Sequence, residues 1–510
     1  MSLLDKATII TTPTAHSNGV LHSIKGGSVA DFDVVRGSAA TRVNAEGLIE
    51  DISILSGELV TNGDFSNGST DWSLDTGWSV SDGKATSDGT NLAYLTQASI
   101  IFTGVSYKVQ FDIVDYTSGS IKYRDNGLVG GQSFSGVGSY TDYVVAGGGQ
   151  FRLMSENFIG SIDNISVVEV IDATNIPRLD YTGGTASILL EPQSTNLVLT
   201  SDSGTYGSIP SSEILETSPD GTINAVRPIP SSNSNRYQQA ISAGTYSTGQ
   251  KLTYSWYRKR ISTPVIDTYV GDLSIQALVN VTAEVATQIQ SNINGYDRFQ
   301  TVIEITDGAL SSIFRAYFGS AIGIGNSSVA YWGHQLEALP YATSYIPTSG
   351  AIATRLADSV TGAGDATTFN STEGVLYAEI NTLSQTGTFR QINLSNGTTS
   401  SRVYISKRAS NDNLEFRMEN PLGGLNFSFA VDTTGDFVKV AFRYGVNNFA
   451  VFINGVNKNV SPIGSTFPSG TLNDLQLSSS INQHFYGKVK SVITFNTALT
   501  DAELECLTTI

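Results

Sequence analysis

The chain has a single cysteine, Cys506, among 510 residues, so no internal disulfide framework holds it together. No stretch approaches the roughly 18 consecutive apolar residues of a membrane-spanning helix, and residues 1–20 lack a basic start followed by an apolar core. Membrane insertion is therefore not expected, and the chain reads as one made in a cytoplasm. Charged residues are scarce at 15%, and the acidic ones dominate, giving a formal net charge of −17. Such a field repels nucleic acid and anionic membrane surfaces, so neither is an expected partner. Long amphipathic helical patterns are nearly absent as well.

Catalytic signatures are also lacking. There is no GxSxG, no Gly-rich phosphate loop and no HExxH, and His16, His22, His334 and His484 are too scattered to suggest a metal cluster. The one SxxK, Ser81 to Lys84, encloses an Asp-Gly pair that marks a turn rather than a helix aiming Lys at Ser. A glycoside hydrolase would leave no fixed spacing, because its two carboxylates meet across a cleft. With no positive signal, the chain reads as non-enzymatic.

What the sequence has is glycine, 50 residues of it, with 9% aromatics, a composition of many short strands joined by tight turns. The length corresponds to about three domains. In "VSYKVQFDI" (105–113), Val105, Tyr107, Val109, Phe111 and Ile113 alternate with polar residues, which predicts a half-buried strand. "KLTYSWYRKR" (251–260) and "FVKVAFRYGV" (437–446) read the same way, each after a Gly-bearing turn. Asn454-Gly455, after alternating Phe449, Val451 and Ile453, predicts a type I′ hairpin. Thr500 and Glu503 form a capping box that starts a short C-terminal helix.

Two stretches raise the question of binding sites. "ELVTNGDFSNGSTDW" (58–72) spaces Asp64, Ser66 and Gly68 like a calcium loop, but the sixth position is Ser69 and the twelfth is Asp75, so an EF-hand is excluded. Turn capping by Asp64 and Asp163 is the simpler role. Sugar recognition needs an aromatic face beside polar groups. Trp78, Tyr94 and Tyr123 are the candidates, whereas Trp72, Trp256 and Trp332 read as core. The echo "SAATRV" (38–43) and "AIATRL" (351–356) singles out Arg42 and Arg355 as domain or subunit contacts.

Three resemblances follow from these motifs. "LVTNGDFSNGSTDW" with "GSIDNISVVEV" a hundred residues later resembles jelly-roll carbohydrate-binding modules. That likeness implies a structural calcium, with Asp163 at one ligand position, Asp64 near it, and Ser66 where a carboxylate is expected. "RLDYTGGTASILLEPQSTNLV" (178–198) with "YWGHQLEALPYATSYIPTSGAIATRLAD" (331–358) resembles a middle segment of bacteriophage tail and other virion proteins. Residues 371–510, with "FAVFINGV" and "FYGKVKSVITFNTALTDAELECL", are similar to concanavalin A-like or laminin G-like sandwiches.

The expectation is an all-β chain of tandem sandwiches: an attachment or connector segment over 1–57, jelly rolls over 58–172 and 173–350, and a concanavalin A-like domain over 351–510. The resemblance implies a virion-surface protein assembled in a bacterial cytoplasm among other virion proteins, homo-oligomeric and by analogy trimeric. Its expected role is a tail fibre or receptor-binding protein engaging host-surface glycans. The alternative is a capsid fibre, decoration or bridging protein that binds no sugar.

Overall fold

A computed structural model describes residues 2–17, 20–25, 27–52, 56–127, 130–170, 174–202, 212–229, 237–241, 246–261, 273–276, 281–283, 286–306, 314–318, 329–383, 390–408, 413–421, 423–478 and 483–509. The described fold is all-β and sandwich-like. Its only helical elements among these residues are the 3-10 turns Leu3–Lys6 and Ser28–Ala30 and the helix Asp501–Thr508. Thr500 caps that helix reciprocally with Glu503, as the sequence predicts. The chain divides into two compact units, Ile52–Ala173 and a second built from Met1–Asp51 with Thr174–Ile510.

The Ile52–Ala173 unit is organised by two long strands, Ser106–Arg124 and Gln150–Val170, paired antiparallel from Ser106 opposite Val170 to Tyr123 opposite Leu153. Gly160 lets them cross closely, because a Cβ there would lie 2.2 Å from the carbonyl oxygen of Asp115. The predicted alternation holds: Tyr107, Val109, Phe111 and Ile113 are buried against Phe151, Leu153, Ile162 and Val167. Each such side chain contributes about 1.5–3 kcal/mol by leaving water. Trp78–Ser81 and Lys84–Asp88 form a hairpin whose Asp82 and Gly83 both take positive φ (54° and 70°), so the SxxK is a turn.

In the other unit, Glu373–Thr382 lies between Val438–Gly445 and Gly487–Phe495. A second sheet of Arg390–Ser395, Arg402–Lys407, Leu414–Glu419, Leu425–Phe429 and Asp474–Gln476 shares a core with it, including Leu376, Val440, Phe442, Ile392, Ile405 and Phe416. The Asn454-Gly455 hairpin forms with φ of 48° and 74°.

Two expectations are corrected in this unit. Residues 1–57 do not make a separate connector, since Ala7–Ser17 pairs with Gly487–Phe495, and Phe32–Val35 pairs with Ser359–Thr361. The 350/351 boundary also fails to separate modules, because Ser187–Leu190 joins the C-terminal sheet beside Gly487–Phe495. The apolar faces of these short strands are buried only by joining sheets remote in sequence, which local patterning does not reveal.

A further sheet orders Ser212–Thr217, Ile223–Ile229, Val329–Glu337, Lys251–Arg260 and Tyr296–Ile305, with Thr287–Ile293 also on the last strand. Lys251–Arg260 is central and buried on both faces rather than half-buried. One face packs Tyr254 and Trp256, and the other sets Tyr257 against Trp332 and Tyr345.

Candidate functional site

The structure does not bring the predicted sugar-stacking residues onto one surface. Tyr123 is only 1% exposed, packs 6.0 Å from the Phe151 ring and donates from its hydroxyl to Asp125 Oδ2 at 3.2 Å. Trp78 is 7% exposed, with its indole N–H on the Ala93 carbonyl oxygen at 3.2 Å. Buried faces cannot stack on a pyranose, so both residues are core, drawn in by the sandwich they help to fill. Tyr94 is half-buried, and the Arg152 guanidinium lies 5.1 Å from its ring centroid. Trp72, Trp256 and Trp332 are core, as their sequence context suggests.

Asp64 spends its carboxylate on a local turn, accepting from Ser66 N at 3.1 Å and Ser66 Oγ at 2.9 Å, bonds that hold its carboxyl below the ordinary value. Asp163 accepts from Asn164 N at 2.7 Å, and partial burial, with the nearby charges of Asp112 and Asp64, pushes its carboxyl up. Among the described residues, no group of three or more His, Cys, Asp or Glu side chains is arranged to hold a metal.

Arg42 pairs with Glu50 at 2.8 Å across its own hairpin, Thr41–Val43 with Ile49–Asp51, and so is a local contact rather than a bridge. Arg355 belongs to a buried network. Its Nη1 lies 2.8 Å from Glu191 Oε2 and its Nη2 donates to the Pro192 carbonyl at 2.6 Å. Arg178 reaches Glu191 at 2.6 Å and also Asp358, which in turn binds Arg36 at 2.9 Å. Burial alone would raise the Glu191 carboxyl, but the guanidiniums of Arg355 and Arg178 hold it well below the carboxylate range. These residues come largely from the two segments that carry the virion-protein resemblance, whose charges therefore serve to join strands.

The same unit contains a cleft of about 760 Å³, a volume that fits a small ligand. Its first wall is the sheet face away from Trp256. Arg298 sits opposite Tyr257 and Gln300 opposite Ser255, with Gln290 beside Arg298 on the neighbouring strand. Period-2 alternation in Tyr296–Ile305 puts Arg298 and Gln300 on this side, and the Gln300 side-chain oxygen accepts from Ala342 N at 2.9 Å, in a segment whose Tyr341 and Ser344 also line the cleft. The lining also includes Asn381, Asp436, Lys488 and Lys490.

Most charges here are already matched. Lys488 binds Asp180 at 2.6 Å, while Lys490 lies 3.8 Å from Glu379 and 4.2 Å from the Phe437 ring centroid. Burial raises the Tyr257 and Tyr341 hydroxyls above their ordinary range, so both stay protonated hydrogen-bonding groups. Tyr257 donates to Gln290 Oε1 at 3.3 Å. A wall of amides, hydroxyls and phenols can bind a polyhydroxylated ligand by many directional bonds. None of these residues was a sequence candidate. The available signal was the polar pair Arg298 and Gln300 on the same side of a strand as Tyr296 and Val302.

No protein-family model and no curated protein matches this chain. Among solved structures, similarity is found to a Bacteroides ovatus protein described as carbohydrate-binding, at 14% identity over 54% of this chain and 80% of the other, with a TM-score of 0.23. The tandem CBM22 modules at the N-terminus of Paenibacillus barcinonensis Xyn10C match at 12% identity over 56% and 99%, with a TM-score of 0.17. An anti-sigma factor domain-containing protein matches at 10% identity over 62% and 99%, with a TM-score of 0.12. Similarity at this level does not define a shared fold and carries no part of the functional argument.

Proposed function

We propose that this chain is a non-enzymatic protein of a bacteriophage particle surface, of the tail-fibre or receptor-binding kind, and that it binds host-surface glycan in the cleft beside Tyr257 and Tyr341. The observation that carries the binding half is the cleft itself: about 760 Å³ of space lined by the amides of Gln288, Gln290 and Gln300 and the hydroxyls of Thr182, Ser291 and Thr434. The virion half is supported by the resemblance of residues 178–198 and 331–358. The reading includes assembly with other virion proteins and a homotrimer, the habit of fibres.

The test is titration of the full chain with oligosaccharides from bacterial surface polysaccharides. Gln288 is exposed on the cleft wall, and Gln290 beside it accepts only one bond from Tyr257. Gln288→Ala with Gln290→Ala is expected to weaken binding at least about tenfold, equivalent to roughly 1.4 kcal/mol, with an unchanged melting temperature. Binding that ignores both substitutions removes the cleft from the proposal. Absence of binding across bacterial surface glycans favours the alternative, a structural decoration or bridging role.

A further inference from the structure

Arg298 is 2% exposed and, unlike the equally buried Arg36, Arg178 and Arg355, has no carboxylate partner among the described residues. Its one hydrogen bond runs from Nη2 to Ser255 Oγ at 3.0 Å, and its guanidinium carbon lies 5.1 Å from the Tyr257 ring centroid. Its Nε has no partner, which is equally true of Arg178 and Arg355; what sets Arg298 apart is that no carboxylate lies within ion-pair distance of it among the described residues. A guanidinium remains charged in a protein, and an uncompensated buried charge is costly. The side chain lines the cleft, so the missing partner can be supplied from there.

The neighbouring charges do not supply it. Asp180 is taken by Lys488, Glu191 by Arg178 and Arg355, and Glu50 by Arg42. Asp436 is exposed, also lines the cleft and forms no ion pair with Arg298. The chain as a whole carries −17 and repels anions at long range, so attraction of an anionic ligand has to be local.

We propose that the cleft selects an acidic saccharide, and that Arg298 receives the carboxylate of a uronic or other sugar acid. This rests on the reading of the cleft as a glycan site and specifies its ligand class. A planar guanidinium held by Ser255 and Tyr257 is pre-oriented for a carboxylate, which it binds through paired N–H donors. Gln300, on the same strand face, and Gln290 are placed to meet adjacent hydroxyls.

The experiment titrates the full chain with sialyllactose and an oligogalacturonate, each against its methyl ester, and with lactose as a neutral probe. The acids are expected to bind at least about tenfold more tightly than the esters, and Arg298→Met is expected to bring that ratio close to one. Arg298→Lys keeps the charge without the fork and should retain part of the preference, which also covers a failure of the Met variant to fold. Equal binding of acids and esters overturns the acid assignment while leaving the glycan reading intact. Binding of neither acids, esters nor lactose counts against both. Displacement of the acids by millimolar inorganic phosphate, with no contribution from the sugar, reduces the site to a general anion pocket and overturns the saccharide assignment.

Discussion

Arg178 and Arg298 lie in one compact unit, both almost wholly shielded from water, and they have opposite electrostatic circumstances. Arg178 meets two carboxylates, Glu191 from its own stretch of chain and Asp358 from 180 residues further on. Arg298 meets a serine hydroxyl and a phenol ring. A buried cation whose counter-charge is built into the chain serves the fold, because removing either partner strands the other. One whose counter-charge is not built into the chain adds no comparable ion pair to the fold, and its charge is left for a ligand to meet.

The largest expected effect breaks the matched side of the contrast. Glu191→Gln leaves Arg178 and Arg355 short of charge in a dry interior and should destabilise the Met1–Asp51 and Thr174–Ile510 unit by about 3–5 kcal/mol. Chemical denaturation would show this as a lower midpoint with an unchanged slope. If the midpoint hardly moves, the network is not the staple described.

A second effect concerns His334, buried with its Nδ1 2.9 Å from the Tyr254 hydroxyl. Burial lowers its pKa from 6.5 to about 3. The unfolded chain therefore takes up a proton first, so this contribution is full above about pH 6.5 and is lost as the pH falls towards 3, by up to about tenfold in the folding constant per pH unit. His334→Gln, at whatever baseline stability, should flatten the pH dependence across that window.

Smaller again is Arg298→Met, expected to leave unfolding stability unchanged within about 1 kcal/mol or to raise it slightly. A loss as large as that of Glu191→Gln would erase the distinction between the two arginines. The smallest effect is at Asp163, whose carboxylate is crowded by Asp112 and Asp64. Without calcium, Asp163→Asn should raise the melting temperature of the Ile52–Ala173 unit slightly, by less than about 1 kcal/mol in stability. Should wild-type protein gain stability from added calcium and the variant lose that gain, Asp163 holds the metal that the jelly-roll resemblance implies.

Features carried by neighbouring residues were legible in the sequence. The alternation through Tyr107 and Ile113, the turns at Asp82-Gly83 and Asn454-Gly455, and the Thr500 cap each depend on a few adjacent positions. The partnership of residues 7–17 with 487–495, and the burial of Tyr123 and Trp78, depend on which sheet covers which face, and composition near a turn does not reveal that. The echo around Arg42 and Arg355 was real as a pattern and misleading as a pair: one arginine closes a hairpin and the other sits in a buried network. Arg298 was visible only as one of a polar pair, with Gln300, on a strand side shared with Tyr296 and Val302, and its lack of a carboxylate partner is a property of three-dimensional neighbours alone.

The strand pairing that ties Ala7–Ser17 to Gly487–Phe495 also imposes an order of events during synthesis. The Ile52–Ala173 unit is continuous and has every partner it needs once about residue 173 has emerged, so it can fold early. Residues 7–17 emerge before it and must wait, unpaired on that edge, while more than 300 further residues are made. A ribosome-bound chain stopped near residue 200 should therefore protect the inserted unit from protease and leave its N-terminal strand open to cleavage.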